Sequence, residues 1–286
     1  MKRRIPLILF ALMLFACSIP STATQPVPTQ PPVVTNTPFV TNTPELTNTP
    51  VATNTPVVTE PTAPVTNVTC NKLAFYLDPS LASGYNCETV PESAEGMEIN
   101  PQYTKLTLQG YVLIDKFFTP YISVFPVERY SELLPDVIPG LVSGLQALIG
   151  GGATGDTLPL LPSFNAGQIF HAQYQVVPFI SGGGIRYLTL YAQYFAPVNN
   201  HDLFYTYQGL TSDGQYWVSA ILPINNPILP ANGDTPPGGL SWDEFTNNYG
   251  PYITDMINQL NSQTSGSYTP TLAALDALVG SITIQP

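Results

Sequence analysis

The order of apolar and polar positions divides the chain into three parts. Residues 1–16 combine a basic start with an apolar run, and residues 17–68 are dominated by Thr, Asn and Pro. From residue 69 onward, apolar residues recur at the spacings of strands and helices. The pattern therefore predicts a leader, a low-complexity linker and a single folded domain over residues 69–286, which is long enough for one sizeable core.

Alternation of apolar and polar residues predicts the strands of this domain. Two early strands are expected over residues 106–117 and 122–127. Four more follow, over residues 168–179, 185–195, 203–210 and 215–224. Asp213-Gly214 separates the last two, and an Asp-Gly pair between alternating runs is typical of a hairpin. These four strands are predicted to form an antiparallel meander.

Apolar residues three and four positions apart predict helices on both sides of the meander. The helices cover residues 127–134, 138–149, 241–260 and 270–279, and residues 281–284 are expected to form a closing strand. Ser241 and Glu244 match a capping box at the start of the third helix, and Gly250-Pro251 is expected to kink it. The predicted fold class is α+β: an antiparallel sheet with a central meander, packed with helices and preceded by a disordered Thr/Pro-rich stalk.

The end of the leader carries a short motif. Leu14-Phe15-Ala16-Cys17 resembles the lipobox of bacterial lipoproteins, with Leu three residues before the cysteine and Ala directly before it. The resemblance implies cleavage of a signal peptide of residues 1–16, attachment of diacylglycerol to Cys17, and a lipid anchor on the extracytoplasmic face of the cell membrane. The alternative is an ordinary cleaved signal peptide in which Cys17 has no role. The apolar run is too short for a membrane span, which takes about 20 residues.

The linker contains a repeat. Thr-Asn-Thr-Pro occurs four times within residues 35–56, so that a proline returns every six residues. Proline breaks helices, removes donors from strand ladders and biases the preceding residue toward extended conformations. We therefore expect a disordered, polyproline-II-like stalk over residues 17–68 that separates the domain from its anchor.

Charge narrows the range of partners. The chain has 8 Lys and Arg against 19 Asp and Glu, a formal net charge of −11. Without residues 1–16, which hold three of the basic residues and no acidic one, the balance is 5 − 19 = −14. Nucleic acids and anionic lipids are bound through clustered Lys and Arg, so this composition argues against both. The membrane is expected to be reached only through the lipid on Cys17, which leaves a cell-wall, glycan or protein partner.

The two cysteines of the predicted domain, Cys70 and Cys87, lie 17 positions apart. Cysteines of an exported chain are in an oxidising compartment, where pairs of them form disulfides. A metal site needs further ligands, and the chain has only His171 and His201 to offer. We predict a Cys70–Cys87 disulfide, no metal site and no cofactor.

The order of the predicted elements resembles a known layout. A strand that leads into a helix over residues 121–127, the central meander, and a terminal helix and strand over residues 272–284 are similar to the PsbP/Mog1-like arrangement. The resemblance concerns the order of elements and includes no catalytic signature. It implies a non-enzymatic binding or assembly role.

Catalytic candidates are few. The nucleophile elbow, the HExxH zinc motif and the P-loop are absent from the sequence, and we assign no catalytic residue. His201-Asp202 lies in a polar turn, where an Asp can orient an imidazole, and His171 is expected to be solvated or hydrogen-bonded. The alternative function is a surface-tethered hydrolase of polysaccharide or peptide. It requires at least two of Asp202, His201, Asp115 and His171 to converge in a cleft with perturbed titration.

Aromatic residues are the remaining candidates for ligand binding. By alternation, Tyr187 and Tyr191 share one strand face, and Tyr205 and Tyr207 share another. Trp217 lies on the return strand of the hairpin. Exposed together, these five rings would form a stacking surface for sugar or peptide. The alternative is that they pair across strands and face packed helices. The predicted function is a non-catalytic binding or assembly domain at the cell surface.

Overall fold

The computed structural model of the chain describes residues 66–96 and 98–285. The predicted signal peptide, Cys17 and the repeats of residues 35–56 lie outside this part of the chain. The strands are β1 (Val68–Cys70), β2 (Leu73–Phe75), β3 (Gly84–Val90), β4 (Tyr103–Gln109), β5 (Tyr121–Pro126), β6 (Gly167–Gln168), β7 (Ala172–Phe179), β8 (Gly182–Thr189), β9 (Tyr191–Ala192), β10 (Phe204–Thr211), β11 (Tyr216–Pro223) and β12 (Thr283–Ile284). The α-helices are α1 (Val127–Leu133), α2 (Ile138–Ile149), α3 (Trp242–Asn247), α4 (Tyr249–Ser262) and α5 (Leu272–Gly280).

Seven strands form one antiparallel sheet in the order β3-β4-β5-β11-β10-β8-β7. The last four strands in this order are the predicted meander. The hairpin of β10 and β11 pairs Leu210 with Trp217 beside its turn. Two smaller sheets, β1-β2-β12 and β6-β9, complete the fold. The predicted α+β class and its central meander are confirmed.

Both faces of the central strands of the seven-stranded sheet are covered. On one face, Tyr187 and Trp217 belong to the same core cluster as Leu145 of α2. On the other face, Tyr205 belongs to a larger cluster with residues of α4, α5 and the three-stranded sheet. Every residue of β10 is buried. The inner strands β10 and β11 are buried at nearly every position because elements pack against both of their faces, whereas the edge strand β7 keeps exposed positions.

Local signals set the ends of the helices. The predicted capping box at the start of α3 is confirmed, because Ser241 Oγ accepts from the amide of Glu244, and the Glu244 carboxylate accepts from the amide of Ser241 at 2.9 Å. The break that follows comes earlier than the predicted kink, since α3 ends at Asn247 and α4 begins at Tyr249. Pro251 accounts for the break. It lacks an N–H, and its ring would clash with the carbonyl four residues earlier.

The two ends of the domain differ from the prediction. Helix α5 begins at Leu272 rather than at residue 270, because Thr271 caps it by accepting from the amide of Ala274. The folded part begins before residue 69, since the side chain of Asn67 exchanges two hydrogen bonds with the backbone of Leu77. Strands β1 to β3 were not predicted. Two of them have three residues each, which is too few to show a period, and β3 is mostly exposed.

The predicted disulfide between Cys70 and Cys87 is confirmed, with the two Cα atoms 5.6 Å apart. It joins the end of β1 to β3, which is an edge strand of the large sheet. The cross-link therefore ties the three-stranded sheet to this edge. Closing a loop of this length stabilises a fold by about 3 kcal/mol in the chain-entropy account.

A buried carboxamide links the sheet to the segment before β6. Gln208 of β10 has no exposed surface. Its Oε1 accepts from the amide of Leu161 at 3.0 Å and from the indole of Trp217 at 2.7 Å. Its Nε2 donates to Thr206 Oγ1 at 2.8 Å and to Ser219 Oγ at 2.9 Å. Both acceptor positions and both donor hydrogens are used, which offsets the cost of burying the group.

Replacing Gln208 with Leu is expected to destabilise the fold. The change leaves the Leu161 amide and the Trp217 indole without an acceptor in the core, where each unsatisfied donor costs about 1–3 kcal/mol. We expect the free energy of unfolding to fall by about 2 kcal/mol or more, measured by urea denaturation with circular dichroism. Gln215→Leu, the same substitution at an exposed position of the hairpin turn, should change it by less than about 0.5 kcal/mol. Equal losses in the two variants would contradict the assigned role.

Candidate functional site

A groove lies at the end of the seven-stranded sheet where β5 and β10 begin and β8 and β11 end. Its volume is about 780 Å³. The aromatic residues that line it are Phe117, Phe118, Phe164, Tyr191, Tyr194 and Trp242. The polar side chains that line it belong to Asn165, Gln193, His201, Asp202, Asn232 and Asp234. Most of these residues lie in loops, which the ends of the strands bring together.

The floor of the groove is a cluster of aromatic rings. Phe118 stacks on Phe164, with ring centroids 5.0 Å apart, and Phe164 meets Tyr191 edge-on, also at 5.0 Å. Phe118 also packs edge-on, at 4.7 Å, against Phe204, which is fully buried at the start of β10. Offset and edge-on contacts are the favoured geometries of aromatic pairs. Phe164 belongs to residues 158–166, which we call the floor loop.

Hydrogen bonds hold the floor loop on the sheet. Tyr187 donates its hydroxyl to the carbonyl of Pro159 at 2.9 Å. Gln168 accepts from the amide of Leu158 at 2.9 Å and donates to the hydroxyl of Tyr191 at 3.1 Å. Burial raises the pKa of Tyr191 to about 12, so its phenol is neutral at physiological pH. The hydrogen bond from the Leu161 amide to the buried Gln208 side chain of β10 adds to these contacts. Together they fix the floor of the groove before any ligand binds.

Three aromatic rings of the groove are open to solvent. Phe117, Tyr194 and Trp242 are 65%, 60% and 44% exposed. Trp242 is the first residue of α3, and its ring packs edge-on at 6.0 Å against Phe245, which is buried. A group of exposed apolar side chains beside a cavity is typical of an interaction site. We call these three residues the rim aromatics.

His201 and Asp202 form a hydrogen-bonded pair in the groove. The imidazole Nδ1 lies 2.5 Å from Asp202 Oδ1, and because a carboxylate only accepts, Nδ1 carries the proton. The other carboxylate oxygen accepts from Asn199 Nδ2 at 2.9 Å, and the amide of Asp202 donates to Asn199 Oδ1 at 3.0 Å. Asp202 is therefore held in place, and it fixes the tautomer of the imidazole.

Two more polar residues reach the groove from the segment after β11. Asn232 and Asp234 lie on either side of Gly233. A Cβ atom at Gly233 would lie 2.9 Å from Asn199 Nδ2, which is closer than real Cβ contacts come. Glycine thus allows this segment to approach the turn that carries the His–Asp pair.

The groove is acidic. Asp202 and Asp234 line it, and within the described residues its lining includes no Lys or Arg. Lys116 lies close enough to Asp202 to interact with its charge, but the Lys116 ammonium is directed elsewhere, since it donates to the carbonyl of Asn200 at 2.5 Å and to the side chain of Asn225. Burial lowers the pKa of Lys116, and the Asp202 carboxylate opposes this shift. The electrostatic potential in the groove therefore favours neutral or cationic ligands.

Four of the five aromatic residues predicted to form a ligand surface are buried. Tyr187, Tyr205, Tyr207 and Trp217 have no exposed surface, so they do not form the surface that their alternation suggested. The prediction required one open sheet face, whereas helices cover one face and helices with a small sheet cover the other. Their hydroxyl and indole groups donate hydrogen bonds inside the domain. Tyr191 is the one of the five that lines the groove.

Two of the four groups named for the hydrolase alternative lie together in the groove. His201 and Asp202 meet in the groove, whereas Asp115 and His171 are not among its lining residues. The Nε2 atom of His171 lies 3.0 Å from the carbonyl oxygen of Gly155, which agrees with the hydrogen-bonded histidine expected there.

A second cluster of charged groups lies away from the groove, with Arg186 buried and Asp276 half-buried. Arg186 Nε of β8 lies 3.2 Å from Asp276 Oδ1 of α5, and Tyr205 donates its hydroxyl to the same oxygen at 3.0 Å. Burial raises the pKa of Asp276, and both Arg186 and Tyr205 oppose the shift. The cluster joins α5 to the sheet, and this contact explains why Tyr205 faces inward.

The pattern of the sequence did not reveal the exposed aromatic residues of the groove. Phe117 and Tyr194 were expected inside strands, but β4 ends at Gln109 and β9 ends at Ala192. Trp242 was interpreted only as part of a helix start. One sequence feature could have indicated their exposure. These bulky rings lie next to turn-forming residues, where they are not needed to fill the core beneath a strand or helix.

Within the described residues, no group of three or more His, Cys, Asp and Glu side chains is arranged to hold a metal ion. Within 66–96 and 98–285, every helix is too short or too polar to span a bilayer. Comparison with known protein families, curated proteins and solved structures finds no match to this chain.

Proposed function

We propose that this chain is an extracytoplasmic lipoprotein, anchored to the membrane through lipid on Cys17, and that its domain binds an envelope partner in the aromatic groove without transforming it. The observation that carries the binding part is the groove itself, in which exposed rings surround a floor fixed by the sheet. The lipobox resemblance at residues 14–17 and the PsbP/Mog1-like order of elements support the anchor and the non-enzymatic role respectively.

Three features of the chain support the anchored location. The first is the lipobox resemblance at Cys17 after a short apolar run. The second is the Cys70–Cys87 disulfide, since such bonds persist in oxidising compartments. The third is the Thr/Asn/Pro composition of residues 17–68, which suits a spacer between membrane and domain. Two or more acyl chains on one cysteine would hold the chain firmly, whereas one chain binds only marginally.

Cells that produce Cys17→Ser are expected to yield a chain without lipid, because the acyl-accepting sulfur is gone. Wild-type chain should incorporate radiolabelled palmitate, and mass spectrometry of its first peptide should show acylated Cys17. The double variant Cys70→Ser/Cys87→Ser is the matched control, since it keeps Cys17 as its one cysteine and should keep the label. Label on Cys17→Ser, or an unlabelled wild type, would exclude the anchor.

The dimensions and composition of the groove suit ligand binding. Its volume of about 780 Å³ lies within the range of ligand pockets, roughly 300–1,000 Å³. Such pockets combine apolar and aromatic walls with a few fixed polar groups, and here the His201–Asp202 pair and the amides provide the polar part. Because hydrogen bonds to the sheet already order the floor loop, binding would not require this loop to be ordered first.

The full-length protein in detergent is expected to co-sediment with the delipidated envelope fraction of the cells that produce it. Tyr194→Ala/Trp242→Ala removes two of the rim aromatics, and aromatic contacts of about 0.5–1.5 kcal/mol each convert to about a tenfold loss of retention for the pair. The measurement is the apparent Kd from the pelleted fraction at increasing envelope concentration.

The control for this experiment is Tyr85→Ala. Tyr85 is 38% exposed on the edge strand β3 and does not line the groove, so its loss should leave retention unchanged. Retention of the double groove variant at the wild-type level would refute binding through the groove, as would an equal loss in Tyr85→Ala.

One observation favours a second candidate function, a hydrolase that acts in the same groove. His201 is oriented by Asp202 as a general base would be, with its Nε2 making no hydrogen bond within the described residues. Such an enzyme would release soluble reducing ends or amino groups from the envelope fraction, would lose this activity in His201→Asn and would retain it in His171→Asn, the matched histidine outside the groove. A domain that binds without catalysis should release no reducing ends or amino groups above a blank.

A further inference from the structure

We infer that the ligand of the groove is a segment of an uncharged polysaccharide, with sugar rings lying on the rim aromatics and hydroxyl groups on the acidic and amide side chains. This inference deepens the proposed function and rests on it. Four observations carry it: the shape of the aromatic surfaces, the chemistry of the polar groups, the charge of the lining, and the shortness of the one strand that lines the groove.

The rim aromatics provide flat apolar surfaces in contact with water. Phe117, Tyr194 and Trp242 expose between 44% and 65% of their surface. The face of an aromatic ring is electron-rich, so it attracts the weakly positive C–H groups that a pyranose ring presents on one of its faces. A sugar can therefore cover such a ring without losing the hydration of its hydroxyl groups, which point outward.

The polar groups of the groove suit hydroxyl groups. A hydroxyl both donates and accepts, and the amides of Asn165, Gln193 and Asn232 can do the same. Asp202 and Asp234 accept only, and Asp202 is already oriented by the hydrogen bonds from its own turn. This mixture matches a ligand with many neutral groups that both donate and accept.

The charge of the lining selects against polyanions. The described lining has two carboxylates, Asp202 and Asp234, and no Lys or Arg. Lys116, which lies outside the lining and donates to Asn200 and Asn225, offsets part of the Asp202 charge. A uronic acid, teichoic acid or nucleic acid segment would place like charges beside the two carboxylates. A neutral polymer avoids this repulsion.

A peptide bound as an added strand is less well accommodated. This mode of binding needs an open sheet edge. The edges of the seven-stranded sheet are β3 and β7, and neither contributes a residue to the groove. The one strand that does line it, β9, has only two residues. Side chains from loops, rather than backbone groups of a strand edge, therefore make the polar contacts.

The two tryptophans of the chain allow a direct test. Trp242 is in the groove, whereas Trp217 is fully buried and donates to Gln208, so a ligand in the groove should change the emission of Trp242 alone. The probes are maltohexaose, cellohexaose, xylohexaose and N-acetylchitohexaose, with hexagalacturonate as an anionic probe and hexalysine as a cationic peptide. Each is titrated into the full-length protein in detergent.

At least one neutral hexasaccharide is expected to shift the Trp242 emission saturably, with a Kd below about 1 mM. Tyr194→Ala should weaken this Kd about threefold, whereas Tyr85→Ala should leave it unchanged. Trp242→Phe should abolish the fluorescence change while calorimetry still detects binding. If the emission still shifts in Trp242→Phe, the change does not come from a ligand in the groove, and the inference fails.

The outcomes separate the ligand class from the proposed function. If none of the four neutral hexasaccharides shifts the emission, or if only hexagalacturonate or hexalysine does, the inference is overturned. The proposed function would still stand if envelope retention depends on Tyr194 and Trp242. If envelope retention is independent of these two residues, the proposed function itself fails, whatever the hexasaccharides do.

Discussion

The arrangement of the groove depends on the hydrogen bonds of the buried Gln208 carboxamide. This group lies in the middle of a sheet that is buried on both faces, where an unpaired polar group would be costly. Its four hydrogen bonds use neighbours on β10 and β11 and the backbone of Leu161. The contact therefore connects the floor loop to the sheet, and through this loop it sets the position of Phe164 in the groove.

Enclosure of the sheet on both faces also divides the aromatic residues into two groups. Rings on the central strands, such as Tyr207 and Trp217, lie in the core, where their polar atoms bond to other parts of the domain. Rings at the strand ends and in the loops, such as Tyr194 and Trp242, keep exposed faces around the groove. The same residue type thus stabilises the fold at one position and forms a ligand surface at another. The difference is whether a helix covers the position.

Sequence patterns predicted those elements whose signals are local. The capping box of Ser241 and Glu244 and the Asp213-Gly214 hairpin depend on residues within a few positions of one another, and both are present. The helix of residues 138–149 matches α2. Strands β1 to β3 were missed because they are short or exposed, and their stability comes from pairing and from the Cys70–Cys87 disulfide. Such pairings have no period along the chain.

The sequence by itself determined the α+β class, the order of the meander and the cysteine pair, because periodicity, turn residues and cysteine number are properties of short segments or of composition. It also supports the expectation of a lipidated Cys17. Only the tertiary structure decided which aromatic residues face solvent. Alternation separates the two faces of a strand but does not tell whether either is covered, and the groove joins residues as far apart as Phe117 and Trp242. That proximity results from the meeting of strand ends across the sheet.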